Sequence, residues 1–333
     1  MSAPVVLCHY GNSRYLPYVL KALAHTNPGK EVILLGDDSN KWLNRLESVE
    51  HLPFEAFEYG EELTAFNDVY QLVKGERSRH IKHGRDWVNF VFKRWYYVYN
   101  FLRSRSVVDF WHFDSDNMIL DSLSRHEDKF KRYDFTEQCN GSCMNGYVSS
   151  TEFVRQYLNS INQQFQDEAY LNNLRATCCD ETDNFEAFTE MAAYKAYRDQ
   201  ERDIPIHPVR LNSVIDGSSF DDCICQEHGM KMELFPSAQQ IKLIACTDDG
   251  RFYCFPQDNS PAVRLNSINL SWVPTELFAV VLRQLYLGTP SSKDVPADVE
   301  SLPSLTELFC RQYRMKTFVM RGKRWLRSRG TGG

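Results

Sequence analysis

Val107-Val108-Asp109-Phe110-Trp111-His112-Phe113-Asp114-Ser115-Asp116-Asn117-Met118-Ile119-Leu120 is the stretch on which the reading of the fold turns. From Val107 to Phe113 it is rich in Val and aromatic side chains, which suit a pleated and well-covered surface, so it reads as a strand. The strand ends on two aspartates two positions apart, and the chain turns apolar again at once. Like charges about 4 Å apart repel by about 4 kcal/mol at an effective dielectric near 20, so a positive group is expected beside them. Hard oxygen donors in such a pair suit Mg2+ or Mn2+. Taken as a bare tripeptide, Asp-x-Asp fits a solvated turn or a helix cap equally well.

Upstream, Pro4-Val5-Val6-Leu7-Cys8 is a short apolar run of the kind found in a strand covered on both faces. Gly11-Asn12-Ser13 then offers a turn and an N-cap, and Leu16, Val19, Leu20 and Leu23 recur at helical spacing. Asn27-Pro28-Gly29 stops that helix, and Val32-Ile33-Leu34-Leu35 forms a second strand ending at Gly36-Asp37-Asp38. This βαβ unit requires parallel strands. A second helix is expected over about Asp86 to Leu102, where Val88, Val91, Trp95, Val98 and Leu102 recur every three or four residues. Downstream, Val154, Tyr157, Leu158 and Ile161 mark another helix, and Asp248-Asp249-Gly250 signals a hairpin between Ile241–Cys246 and Phe252–Phe255.

The predicted architecture is α/β, a mixed and mainly parallel sheet with flanking helices. A Rossmann-like nucleotide half spans 1–130 and an acceptor half spans 131–288. A Pro- and Ser-rich linker follows over 289–304, then a basic tail over 305–333. At 333 residues, 43% hydrophobic and 25% charged, the chain is long enough to bury a substantial core, which excludes disorder as its main theme. Eight basic residues fall between Arg311 and Arg329 with no acid after Glu307, leaving 30 basic against 44 acidic residues elsewhere. So acidic a body argues against nucleic acid as partner. The ten cysteines contain no CxxC pair, and no signal-peptide pattern leads the chain, so reduced thiols in a cytoplasmic protein are expected. No run of about 18 apolar residues exists to span a membrane.

Ligands of open α/β sheets bind beyond the carboxyl ends of the strands, which here means His9, Tyr10, Asp37, Asp114 and Asp116. Val5 to Tyr10, Val32 to Asp38, and above all His112 to Leu120 resemble the nucleotide-binding half of GT-A glycosyltransferases, which carry an Asp-x-Asp motif after a core strand. Lys93-Arg94-Trp95 and Cys143-Met144-Asn145-Gly146-Tyr147 resemble the flanking segments of that family, and the likeness covers about Pro4 to Ile161. The resemblance implies transfer of a sugar from a nucleotide diphosphate donor, a UDP-sugar first, to the hydroxyl of a glycan, glycolipid or other acceptor. It implies His9 and Tyr10 at the base, Asp37 at base or ribose, Arg94 at the diphosphate, and Ser115, Asn145 and Gly146 in the donor pocket. Asp114 and Asp116 would serve ribose and metal, Mn2+ or Mg2+. Many members add a histidine ligand from a C-terminal segment. Leu265 to Trp272 has none, which leaves Asn269, a distant His207 or His228, or water to replace it.

An inverting transfer needs a carboxylate to take the acceptor proton, and Glu190, then Asp183, are the candidates in the acidic run 180–190. The tail interleaves Leu308, Phe309, Phe318, Val319, Trp325 and Leu326 with its basic residues. That pattern suits peripheral contact with an anionic membrane or docking on the acidic body. A non-catalytic carbohydrate-binding or scaffold protein of the same fold is the competing reading. A sugar nucleotidyltransferase is disfavoured because Gly11-Asn12-Ser13-Arg14 lacks the glycines that wrap a triphosphate.

Overall fold

A computed structural model describes residues 2–74, 85–177, 187–203, 205–288 and 299–313. The chain forms two compact units. One comprises Met1–Ser115 with Ser122–Ser213, the other Asp116–Asp121 with Val214–Gly333. The strand that follows Asp116 pairs with a distant C-terminal strand rather than with its own neighbours in sequence.

In the first unit the strands are β1 (Val5–Cys8), β2 (Val32–Gly36), β3 (Val49–Pro53) and β4 (Phe110–Phe113); β5 (Asn117–Ile119) belongs to the second unit, and β6 (Phe135–Gln138), β7 (Cys143–Val148) and β8 (Val209–Arg210) complete the sheet. Their order is β3-β2-β1-β4-β7-β6-β8. The four strands from β3 to β4 are parallel, and β7 runs antiparallel to β4 and β6. The expected βαβ unit is present, with α1 (Leu16–Thr26) between β1 and β2. The strand expected over 107–113 starts only at Phe110. The carbonyls of Val107 and Val108 instead accept from the hydroxyl and N–H of Thr151, where a later helix begins, and Val108 is left exposed.

Further helices are α2 (Glu61–Val69), α3 (Arg85–Ser104), α4 (Glu127–Phe130), α5 (Thr151–Gln166), α6 (Glu168–Thr177) and α7 (Glu190–Asp199). On α3, Val88, Val91, Trp95, Val98 and Leu102 are buried, as the spacing predicts. Val6, Cys8, Ile33 and Leu35, alternating along β1 and β2, face a core built with α2, α3, α5 and α7. Aromatic rings fill it. Phe66 of α2 is fully buried against Tyr96, Tyr70, Phe165 and Phe92 at centroid distances of 4.9, 5.1, 5.6 and 5.9 Å.

In the second unit, β9 (Ser218–Phe220) runs parallel to β14 (Val263–Asn269), while β10 (Met232–Leu234) and β11 (Gln240–Lys242) form a separate pair. The hairpin signalled by Asp248-Asp249-Gly250 joins β12 (Ile244–Cys246) to β13 (Phe252–Cys254), with Cys246 opposite Phe252. β13 and β5 flank β14, and α8 (Thr275–Leu287) follows. Of the expected linker, residues 289–298 lie outside the described residues, whereas Val299 is buried and Ser304 bridges to Ala245. Residues 305–313 are helical, and the rest of the basic tail lies outside the described residues. Among the described residues no helix is long and apolar enough to cross a membrane, and the eight described cysteines are free thiols.

Phe66→Ala should lower the free energy of unfolding by about 3 to 5 kcal/mol in urea titrations, because four rings lose a partner that water cannot replace.

Candidate functional site

In the first unit β1 lies between β2 and β4, so the chain runs outward from it in both directions, and the carboxyl ends of β1 and β4 are where open sheets of this kind take ligands. His9 follows β1 and Ser115 follows β4, and they meet there. His9 Nδ1 is 2.7 Å from Ser115 Oγ, and His9 Nε2 is 3.0 Å from Ser13 Oγ. Ser13 is therefore not the cap of α1. The helix starts at Leu16 after Tyr15 with no side-chain cap, and the Ser13 hydroxyl serves the imidazole instead. Burial pushes His9 down to about 4, so it is neutral at physiological pH.

Asp37, after β2, accepts from the N–H groups of Gly11 and, at 2.7 Å, Ser39. Burial works to raise its carboxyl, but these donors outweigh it and hold it below the ordinary range. Asn40 fixes the same loop, donating to the carbonyls of His9 and Gly11 at 2.9 Å each and pairing its Oδ1 with His51 Nε2 at 2.7 Å. Tyr10 projects from the loop, more than half exposed, with its ring 5.3 Å from that of Phe90.

The positive group beside Asp114 is Arg94 of α3. Its Nη1 donates to Asp114 at 2.7 Å and its Nη2 to Glu190, the first residue of α7, at 3.0 Å. Burial opposes the Asp114 charge, yet Arg94, His112 and Asn145 hold its carboxyl low. The same guanidinium is then shared, and burial wins at Glu190, which is 6% exposed and pushed up to about 7. Asn145 Nδ2 donates to Asp114 and to Gln138, both at 3.1 Å. His112 Nδ1 donates to the Val6 carbonyl at 2.9 Å, and burial holds this imidazole neutral as well.

Gly146 stands in β7 at φ +96, next to a register shift in the β6–β7 pairing. A Cβ there would lie 2.2 Å from Thr136 Oγ1 and 2.8 Å from a Leu211 methyl, so glycine is required for both conformation and space.

Asp116 belongs to the second unit. Its Oδ2 accepts from Ser271 Oγ at 2.8 Å, and that hydroxyl is also 2.5 Å from Asn269 Oδ1. A carboxylate, an amide oxygen and a hydroxyl together fit a hard divalent cation. Asn269 is thus the third-ligand alternative placed beside Asp116. The His207 backbone is tied to Asp134, and His228 lies 3.4 Å from Asp222. Asp183 lies outside the described residues.

Sequence reasoning missed Ser13, Asn40 and Gln138. Asn40 closes the polar run that ends β2 and was legible as a strand-end residue, whereas nothing in the spacing marks Gln138. No protein-family model and no curated protein matches the chain. Among solved structures it overlaps the PaToxG Glycosyltransferase with a TM-score of 0.31 and 9% identity, over 59% of this chain and 68% of that one. So loose an overlap assigns no family.

Gly146→Ala should cost on the order of 2 to 4 kcal/mol of stability, read by denaturant titration, from left-handed strain plus overpacking. The raised carboxyl of Glu190 has a further consequence. Between its ordinary 4.5 and about 7, the unfolded chain gives up this proton while the folded chain keeps it. Stability contributed below pH 4.5 is therefore lost as pH rises to 7, by about 3 kcal/mol, and Glu190→Gln should flatten that slope in urea titrations across this range.

Proposed function

We propose that the chain is a glycosyltransferase that takes a nucleotide diphosphate sugar, a UDP-sugar first, and transfers the sugar to an acceptor hydroxyl. The observation that carries this reading is the gathering of His9, Ser115, the Arg94–Asp114 pair and the fixed carboxylate of Asp37 at the carboxyl ends of β1, β2 and β4. A parallel sheet that reverses its winding at this point is where such folds take nucleotides. Tyr10, tilted against Phe90 and more than half exposed, offers a ring face to a base. Asp37, ionised and held by backbone N–H groups, suits ribose hydroxyls. Arg94 supplies a planar cation for the diphosphate, and Asp114, already matched by it, is left for sugar hydroxyls.

Mn2+ or Mg2+ is assigned to the oxygen set of Asp116, Asn269 and Ser271. When bound there it would supply a Lewis acid for phosphate oxygens. Glu190 supports two readings. A carboxyl near 7 is suited to taking a proton from an acceptor hydroxyl. Its burial and its contact with Arg94 favour the other, in which it positions the guanidinium. A glycan or glycolipid acceptor, with the basic tail reaching a membrane surface, belongs to the same proposal.

Incubating the chain with a panel of sugar nucleotides, with and without Mn2+, should release free nucleoside diphosphate, and Asp116→Asn should lower the rate by about 100-fold. Donor binding without release would favour a carbohydrate-binding protein. Neither binding nor release across the panel would end the proposal.

A further inference from the structure

Cys139 and Cys143 flank the turn between β6 and β7, and their sulfurs lie with a carboxylate oxygen of Asp114 within 4.8 Å of one another. Cys143 is buried and Cys139 half-buried. The turn that gathers them is unusual. Cys139, Asn140 and Gly141 are all left-handed, at φ of 53, 59 and 72°, and Ser142 N–H closes it on the carbonyls of Gln138 and Cys139. Left-handed backbone costs a non-glycine residue about 1 to 2 kcal/mol, so the conformation is held by its surroundings. Two thiols and a carboxylate are the donor types of a thiophilic divalent site. Tetrahedral Zn2+ with bonds of about 2.3 Å to sulfur sets its ligands about 3.8 Å apart, within the spread found here. Asn145, two positions beyond Cys143, donates to Asp114 while its buried Oδ1 has no hydrogen-bond partner.

We infer that Cys139, Cys143 and Asp114 form a binding site for Zn2+ or a similarly thiophilic divalent cation, which clamps the β6–β7 turn to the end of β4. Charge distinguishes this ion from a hard one. A cation held by Asp114 alone would face Arg94 across one carboxylate, which the guanidinium already neutralises. Binding through sulfur displaces one proton from each thiol, and the two thiolates formed offset the cation's two charges while Arg94 continues to balance Asp114. Water or the Asn145 amide oxygen completes four-coordination.

The experiment uses the full chain, reduced and stripped of metal, titrated with Co2+ and then Zn2+. Co2+ should raise a near-ultraviolet thiolate charge-transfer band and the visible bands of a tetrahedral site, and Zn2+ should bleach them at one equivalent. Cys139→Ser, at the half-buried position, should weaken Co2+ binding at least tenfold and about halve the charge-transfer intensity. Cys225→Ser should leave both unchanged. Cys143→Ser should match Cys139→Ser, and if it fails to fold, Cys139→Ser decides. Absence of the charge-transfer band, its undiminished intensity in Cys139→Ser, or its loss in Cys225→Ser would overturn the site. The two proposals share Asp114, but none of these readouts depends on donor turnover, so the failure of this site and the failure of the transferase reading are distinguishable.

Discussion

Arg94 places one guanidinium between two carboxylates in a setting from which water is largely excluded, and the site depends on that arrangement. Leaving one such charge buried without its partner costs about 3 to 5 kcal/mol. The arrangement joins three elements that are far apart in sequence, α3 through Arg94, the end of β4 through Asp114 and the start of α7 through Glu190. A single cation cannot neutralise both acids. The more exposed Asp114 stays ionised and the deeply buried Glu190 is pushed towards neutrality, so the cluster divides into an ion pair and a near-neutral acid.

Around this pair, backbone hydrogen bonds do most of the positioning. The loop after β1 is held by Asn40, which reaches two of its carbonyls, and by Asp37, which takes the N–H of Gly11. Close approach is what permits it. A Cβ on Gly36 would lie 2.2 Å from Asn40 Oδ1 and 2.6 Å from His51 Nε2, so glycine at the end of β2 lets the amide and the imidazole close behind the loop. His9 then stands in a fixed direction, neutral and bonded through both nitrogens to Ser115 and Ser13.

The βαβ unit, the long helix α3 and the hairpin at Asp248-Asp249-Gly250 were legible because each rests on local periodicity or turn chemistry. Val107 and Val108 were misleading for the opposite reason. Their β propensity is real, but Thr151, 44 and 43 residues away in sequence, takes both carbonyls to start α5. Ser13 likewise looks like a helix cap until an imidazole claims its hydroxyl. Such losses follow whenever a tertiary partner competes with a local one for the same polar group.

The sequence by itself determined that strands end at Cys8, Gly36 and Phe113, and that polar groups follow them, since apolar runs and the residues that stop them are local properties. It also pointed to a positive charge near Asp114, because like charges held close together are costly. Only the tertiary structure decided that Arg94 supplies it and that Glu190 shares it. It likewise decided that Asn269 rather than a histidine stands near Asp116, and that Cys139 and Cys143 turn towards Asp114. Each of these is a meeting of side chains from separate elements, set by strand order and helix packing, and no spacing along the chain encodes it.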